Sequence, residues 1–132
     1  MIPKFRAWHK NWKEFGKVGK ISFDDEEDVS TVLFKGKFIF ENLQKNEVIL
    51  MQSTGLCDKE GTEVFEGDIL HHQIQTDYTF IVKYDKDNGR WYGDGLSRTY
   101  RIDITKDFLQ YYKVIGNIYE NPKLLENKGE EK

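Results

Sequence analysis

The side chains best suited to chemistry in this sequence are the carboxylates Asp58, Glu66 and Asp68, which fall close together between Leu50 and Leu70 with Gln52 and Thr54 just ahead of them. Three carboxylates brought to one point would hold a hard divalent cation and activate a water, the chemistry of a metal-dependent hydrolase. Together with Asn117, Tyr119 and Asn121 the same groups could line a shallow recess that hydrogen-bonds a peptide, a nucleotide edge or a cation. A plainer account competes with both. Asp58-Lys59-Glu60-Gly61 reads as a turn in which Asp58 accepts local amide hydrogens and Gly61 takes a left-handed conformation. Glu66-Gly67-Asp68 reads as a second sharp corner, with Asp68 receiving backbone N–H groups before Ile69 and Leu70 enter a strand. For Gln52, Thr54, Asp58, Glu66 and Asp68 the structural account is preferred, and no catalytic residue is assigned.

Other groups carry weaker signals. Arg6, Trp8, Lys10 and Trp12 interleave basic and aromatic side chains near the N-terminus, a pattern that contacts phosphates and stacks on bases. The same residues could pair with the acidic run Asp24-Asp25-Glu26-Glu27-Asp28 or stay solvated. That run lacks the alternation and glycine of an EF-hand and reads as a mobile, solvated loop. His71 and His72 are consecutive, so on a strand they would face opposite ways and not share a metal. Cys57 is the sole cysteine, which fits a reducing compartment and a small loop side chain rather than a nucleophile. No Ser/His/Asp set, phosphate loop or dinucleotide fingerprint is present, and Gly93-Asp94-Gly95 reads as a turn. No cofactor and no metal site are expected.

The elements that must position these groups are short strands. Residues 2–8 form a first one. Over residues 31–40, Val32, Phe34, Phe38 and Phe40 would share a face, with Gly36 as a bulge or tight bend. Val48 to Met51 is a buried strand. Residues 78–92 make a hairpin around a two-residue Asn88-Gly89 turn, which sets Phe80, Val82, Tyr84 and Trp91 on one face and Asp87 opposite Arg90. Asp107 to Tyr112 gives one or two helical turns before a strand from Tyr112 to Ile115. Asn121-Pro122 opens a short terminal helix anchored by Leu124 and Leu125, and residues 127–132 form a disordered tail.

At 132 residues with 14% aromatics the chain is one domain able to bury a real core. A net charge of −3 gives no global drive toward DNA or an anionic membrane. No stretch approaches the ~18 apolar residues of a membrane span. The expected location is the cytoplasm.

Three segments resemble the YopX family of phage and prophage proteins: Ile2-Pro3-Lys4-Phe5-Arg6-Ala7-Trp8, the segment from Leu50 to Leu70, and Val114-Ile115-Gly116-Asn117-Ile118-Tyr119-Glu120-Asn121-Pro122-Lys123-Leu124-Leu125. The chain departs from the family opening at the extra Pro3 and at His9, where an Asp is usual. The resemblance implies a mainly β, small barrel-like antiparallel domain over residues 1–126, with decorating loops and a short C-terminal helix, in a bacterial host cell. It brings no mechanism. The expected role is a non-enzymatic module that binds a host or phage macromolecule. Alternatives are a single-stranded nucleic-acid binder using the basic and aromatic N-terminus and, second, the hydrolase above. A homo-oligomer is compatible with the sequence, and a membrane partner is not expected.

Overall fold

Apolar runs a few residues long, punctuated by glycine and acidic turns, fold as antiparallel strands throughout. The computed structural model describes residues 4–74, 78–95 and 101–124. Two compact units make up the chain, Met1–Gln52 and Ser53–Lys132.

In the first unit, β1 (Phe5–His9), β2 (Glu14–Phe23), β3 (Val29–Lys35), β4 (Phe40–Gln44) and the first half of β5 (Val48–Cys57) form a sheet in the order β4-β3-β2-β1-β5. Its core joins Ala7, Val32, Phe34, Leu43 and Val48. Gly16 lies opposite Ala7, and a Cβ there would come within 2.7 Å of the Phe34 ring, so the absence of a side chain makes room for that ring. The face expected to be shared over 31–40 is broken by a hairpin between β3 and β4. Residues 36–39 form its turn, closed by the Gly36 N–H donating to the Ile39 carbonyl at 2.7 Å. Val32 and Phe34 are fully buried, whereas Phe38 and Phe40 are 87% and 70% exposed. A turn, unlike a bulge, reverses the chain and so breaks the shared face.

In the second unit, the later half of β5 pairs with β6 (Glu63–Phe65). A five-stranded sheet is built from β7 (Asp68–His72), β8 (Thr79–Asp85), β9 (Arg90–Gly95), β10 (Arg101–Asp103) and β11 (Tyr112–Asn117), in the order β10-β9-β8-β7-β11. Val64, Leu70, Phe80, Val82, Ile104, Leu109 and Tyr112 make its core. The β8–β9 hairpin forms as expected, with Tyr84 opposite Trp91, but its loop has four residues rather than two. Asp85, not Asp87, pairs with Arg90, and its carboxylate accepts the Asp87 and Asn88 N–H groups. Gly89 alone of the pair takes a positive φ, 68°, so Asn88-Gly89 is not a two-residue turn. Gly93-Asp94-Gly95 is strand rather than turn: a Cβ on Gly93 would sit 2.9 Å from that of Phe80, so β9 lies close over the Phe80 side chain.

A 3-10 turn at Phe108–Tyr111 precedes β11, as the sequence indicates. Among the described residues the sheets are open, with no closed barrel, because β10 and β11 end as edges of their sheet. The expected C-terminal helix is not shown among the described residues, which end at Leu124. Asn121 accepts the Asn117 N–H with its side-chain oxygen at 3.1 Å, and its carbonyl accepts the Leu124 N–H at 3.1 Å. Leu125 and the tail over 127–132 lie outside the described residues, as does Ile2. No helix among the described residues is long and apolar enough to cross a membrane.

Candidate functional site

β11 is the strand on which the polar residues of the second unit meet. The turn after β5 brings Asp58, 7% exposed, alongside it. One carboxylate oxygen accepts the N–H groups of Glu60 and Thr62 at 2.8 and 2.9 Å, and the other accepts that of Val114 at 2.9 Å. The Lys59 N–H donates to the Tyr112 carbonyl at 3.1 Å. Asp58 therefore closes its own turn and pins that turn to β11. Gly61, at φ 84°, supplies the left-handed residue that the turn requires.

The second corner works in the same way. Asp68 is 1% exposed, accepts the Phe65 N–H at 2.8 Å, and lies opposite Asn117 in the β7–β11 ladder. Gly67 takes φ 88°, donates its N–H to the Val82 carbonyl, and accepts the Ile118 N–H at 3.0 Å. Asn117 accepts the N–H groups of Tyr119 and Glu120 and donates to the Glu120 carboxylate at 3.0 Å. The Tyr119 phenol is held above the ordinary tyrosine value, first by burial and then by the negative charge of Glu66. Thr54 donates its hydroxyl to the Val64 carbonyl at 2.8 Å and accepts the Leu56 N–H at 3.1 Å. Gln52 is an exposed residue of β5.

The structure thus brings Glu66, Asp68, Asn117, Tyr119 and Asn121 to one end of β11, while Asp58 meets that strand at Val114. Among them Asp58, Asp68, Asn117 and Asn121 accept backbone N–H groups. A carboxylate whose two oxygens already accept three amides has few lone pairs left to ligate a metal ion. Beside it, Leu56, Cys57, Asp58, Lys59, Lys106 and Leu109 border an open recess.

The N-terminal candidates separate. Trp8 is 7% exposed with its ring 4.7 Å from that of Phe15, and the Arg6 guanidinium lies 4.6 Å over the same Phe15 ring. Trp12 is 66% exposed on the turn after β1, and Lys10 is exposed. Burial of Trp8 removes it from any base-stacking pair with Trp12. His9 is 2% exposed. Its Nε2 lies 3.2 Å from Glu41 Oε1, its Nδ1 accepts the Trp12 N–H, and its ring meets Phe34 edge-on. His71 and His72 diverge: His71 Nδ1 is 3.0 Å from Thr79 Oγ1, whereas His72 stacks on Tyr111 at 6.0 Å. The acidic run forms the β2–β3 turn, in which Asp24 accepts the Glu26 and Asp28 N–H groups at 2.9 and 3.0 Å.

Sequence reading missed one surface. In the ladders Arg6 pairs with Lys17, Lys17 with Lys35, and Lys35 with Phe40, so these four residues share a face of the first unit's sheet. Lys20 joins them, because it pairs with Leu33, two residues from Lys35 on the same strand. A register shift at Gly19 lies between Lys17 and Lys20. The extra residue sets two lysines three apart on one side, where strict alternation would oppose them. Among the described residues of β2, β3 and β4, the acids Glu14 and Glu41 lie on the other face, opposite His9 and Phe34 respectively.

Comparison with known proteins agrees with this fold. The family model described as "YopX protein" matches residues 4–126. A crystal structure of protein EF1440 from Enterococcus faecalis is similar at 33% identity and TM-score 0.71, covering 95% of this chain and 99% of that one. The crystal structure of protein yopX from Bacillus subtilis shares the fold at TM-score 0.58 and 14% identity, covering 92% of this chain and 95% of that one. No curated protein sequence matches. A family match over nearly the whole length, with a relative a third identical across it, places this chain in the YopX family.

Proposed function

We propose that this protein is a non-enzymatic, macromolecule-binding accessory module, encoded by a phage or prophage and acting in the cytoplasm of its bacterial host. The observation that carries the reading is that the Asp58 carboxylate accepts the Glu60, Thr62 and Val114 amides, which supports a structural role for the most catalytic-looking segment. Asp68 supports it by accepting the Phe65 amide. What remains for a partner is surface, including Trp12, Phe38 and Phe40, which stand in solvent on the first unit. The phage setting rests on the family to which the chain belongs, and the family match across both units supports residues 1–126 as one working domain.

The test is affinity capture from bacterial lysate, with and without nuclease, using the full chain and a Phe38→Ser/Phe40→Ser variant. A specific protein or nucleic acid retained by the wild-type chain and lost from the variant is expected. Retention of neither by the wild-type chain would sink the reading.

A further inference from the structure

The face formed by β2, β3 and β4 is unusual in its charge. Lys17, Lys20 and Lys35 are exposed there beside Phe40, while the acids of these strands, among the described residues, lie on the opposite face. The overall charge of the chain is −3, so this face is segregated against the molecular average. Lys17 and Lys35 sit directly opposite each other, and like charges in that relation repel. A bound polyanion would relieve the repulsion and release counterions. Lys35 Nζ also lies 5.8 Å from the centre of the Phe40 ring, which is 70% exposed. A cation beside an exposed aromatic ring is the pairing by which single-stranded nucleic acid is held, the cation on the backbone and the ring under a base. Phe38, 87% exposed with Lys37 Nζ 5.7 Å from its ring, repeats the pairing on the adjoining turn.

We propose that this face binds single-stranded nucleic acid, with the backbone along Lys17, Lys20 and Lys35 and bases stacked on Phe40 and Phe38. The proposal rests on the binding-module reading and names its partner class. It differs from a site on Arg6, Trp8, Lys10 and Trp12, because Trp8 is buried and Arg6 stacks on Phe15. Every base has a face that can stack on an aromatic ring, so recognition here is of the backbone and of unpaired bases, with little sequence preference. A duplex keeps its bases stacked on one another and could use only the lysines.

The experiment is fluorescence anisotropy of labelled oligothymidylate, oligouridylate and a duplex of matched length, titrated with the full chain across a salt series. Binding of the single strands over the duplex is expected. Substituting Lys17→Gln, Lys20→Gln and Lys35→Gln together should flatten the slope of log K against log salt by about 2, at roughly 0.7 per phosphate contact. Phe40→Ala should weaken binding by about fivefold or more while leaving that slope unchanged. All four side chains are exposed, so unchanged circular dichroism and melting temperature serve as controls. Absence of oligonucleotide binding at low salt, equal binding of the duplex, or indifference to both variants overturns the proposal. A specific acidic protein captured from lysate in place of nucleic acid overturns it too, yet leaves the binding-module reading standing. Loss of every partner removes both.

Discussion

Replacing Asp58 with alanine separates a structural carboxylate from a chemical one. Three N–H groups would lose their acceptor: those of Glu60 and Thr62 at the exposed turn, and that of Val114 within β11. Water can reach the two turn amides, so each retains only a modest cost of about 0.5–1 kcal/mol. The Val114 amide is half-buried, and losing a charged acceptor there costs about 1.5–3 kcal/mol. The expected loss is about 2.5–5 kcal/mol, a large share of the ~5–15 kcal/mol that holds a domain folded. Asp58→Asn keeps one acceptor oxygen but turns an amide donor toward an amide donor, so it should cost about 2–3 kcal/mol. Urea unfolding followed by circular dichroism gives the totals. Hydrogen exchange at the Val114 amide gives the local part, where protection should fall sharply. An Asp58→Ala protein within about 1 kcal/mol of wild type, with Val114 still protected, would show that the carboxylate is not committed to the backbone, and the hydrolase reading would reopen.

Two glycines separate strain from crowding. Gly61 has φ 84° and open space where a Cβ would go, so Gly61→Ala should cost only the left-handed penalty, about 1–2 kcal/mol in urea unfolding. Gly93→Ala places a Cβ 2.9 Å from that of Phe80, an atom fixed to its own backbone, and should cost about 1–3 kcal/mol through overpacking of β8 and β9. The raised Tyr119 value has a signed consequence: the folded state holds the phenol proton more tightly than the unfolded chain, so this contribution to stability is full below the ordinary tyrosine value, about 10, and is lost as pH rises through the higher folded value. Tyr119→Phe should weaken the alkaline decline in a pH series of urea midpoints, and an unchanged decline would refute the assignment. Asp85 has the opposite sign: the Asn88 side-chain amide, ahead of the backbone N–H groups of Asn88 and Asp87 and the charge of Arg101, holds its carboxyl below the ordinary value. Its stabilising effect is present above the ordinary carboxylate value and fades as pH falls through the lower folded one, so Asp85→Asn should flatten the acid side of the same series.

The strands were legible wherever a local rule governed them. Asp58-Lys59-Glu60-Gly61 and Glu66-Gly67-Asp68 could be read as corners because short-range capping and left-handed glycine act within a few residues. The link from Asp58 to Val114 spans 56 residues and left no local trace. Val32, Phe34, Phe38 and Phe40 keep even spacing through the reversal at Gly36, so their spacing suggests a shared face that the β3–β4 hairpin does not keep. The β8–β9 loop was misjudged because Asp85 offered the turn amides a side-chain acceptor, and that favoured a longer loop over the Asn88-Gly89 reversal. Burial of Trp8 was hidden for a related reason: its packing on Phe15 comes from pairing across β1 and β2, not from neighbours in sequence.

The basic face was the least legible feature, because it depends on one extra residue. Without the register shift at Gly19, Lys17 and Lys20 would stand on opposite sides of β2 and the cations would be divided. A Cβ at Gly19 would lie 2.6 Å from the Lys35 side chain, so the bare backbone there also gives that side chain room. Shape and charge are therefore set by the same small irregularity. Lys17, Lys20, Lys35 and Phe40 all lie outside the three segments that resemble the family, whereas the aspartates inside those segments are bound to backbone. Within those segments Asp58 and Asp68 close turns and join strands, and the surface proposed for a partner lies outside them. A relative can keep every corner of this fold and still present a different face, so shared membership in the family does not by itself transfer the binding proposed for this chain.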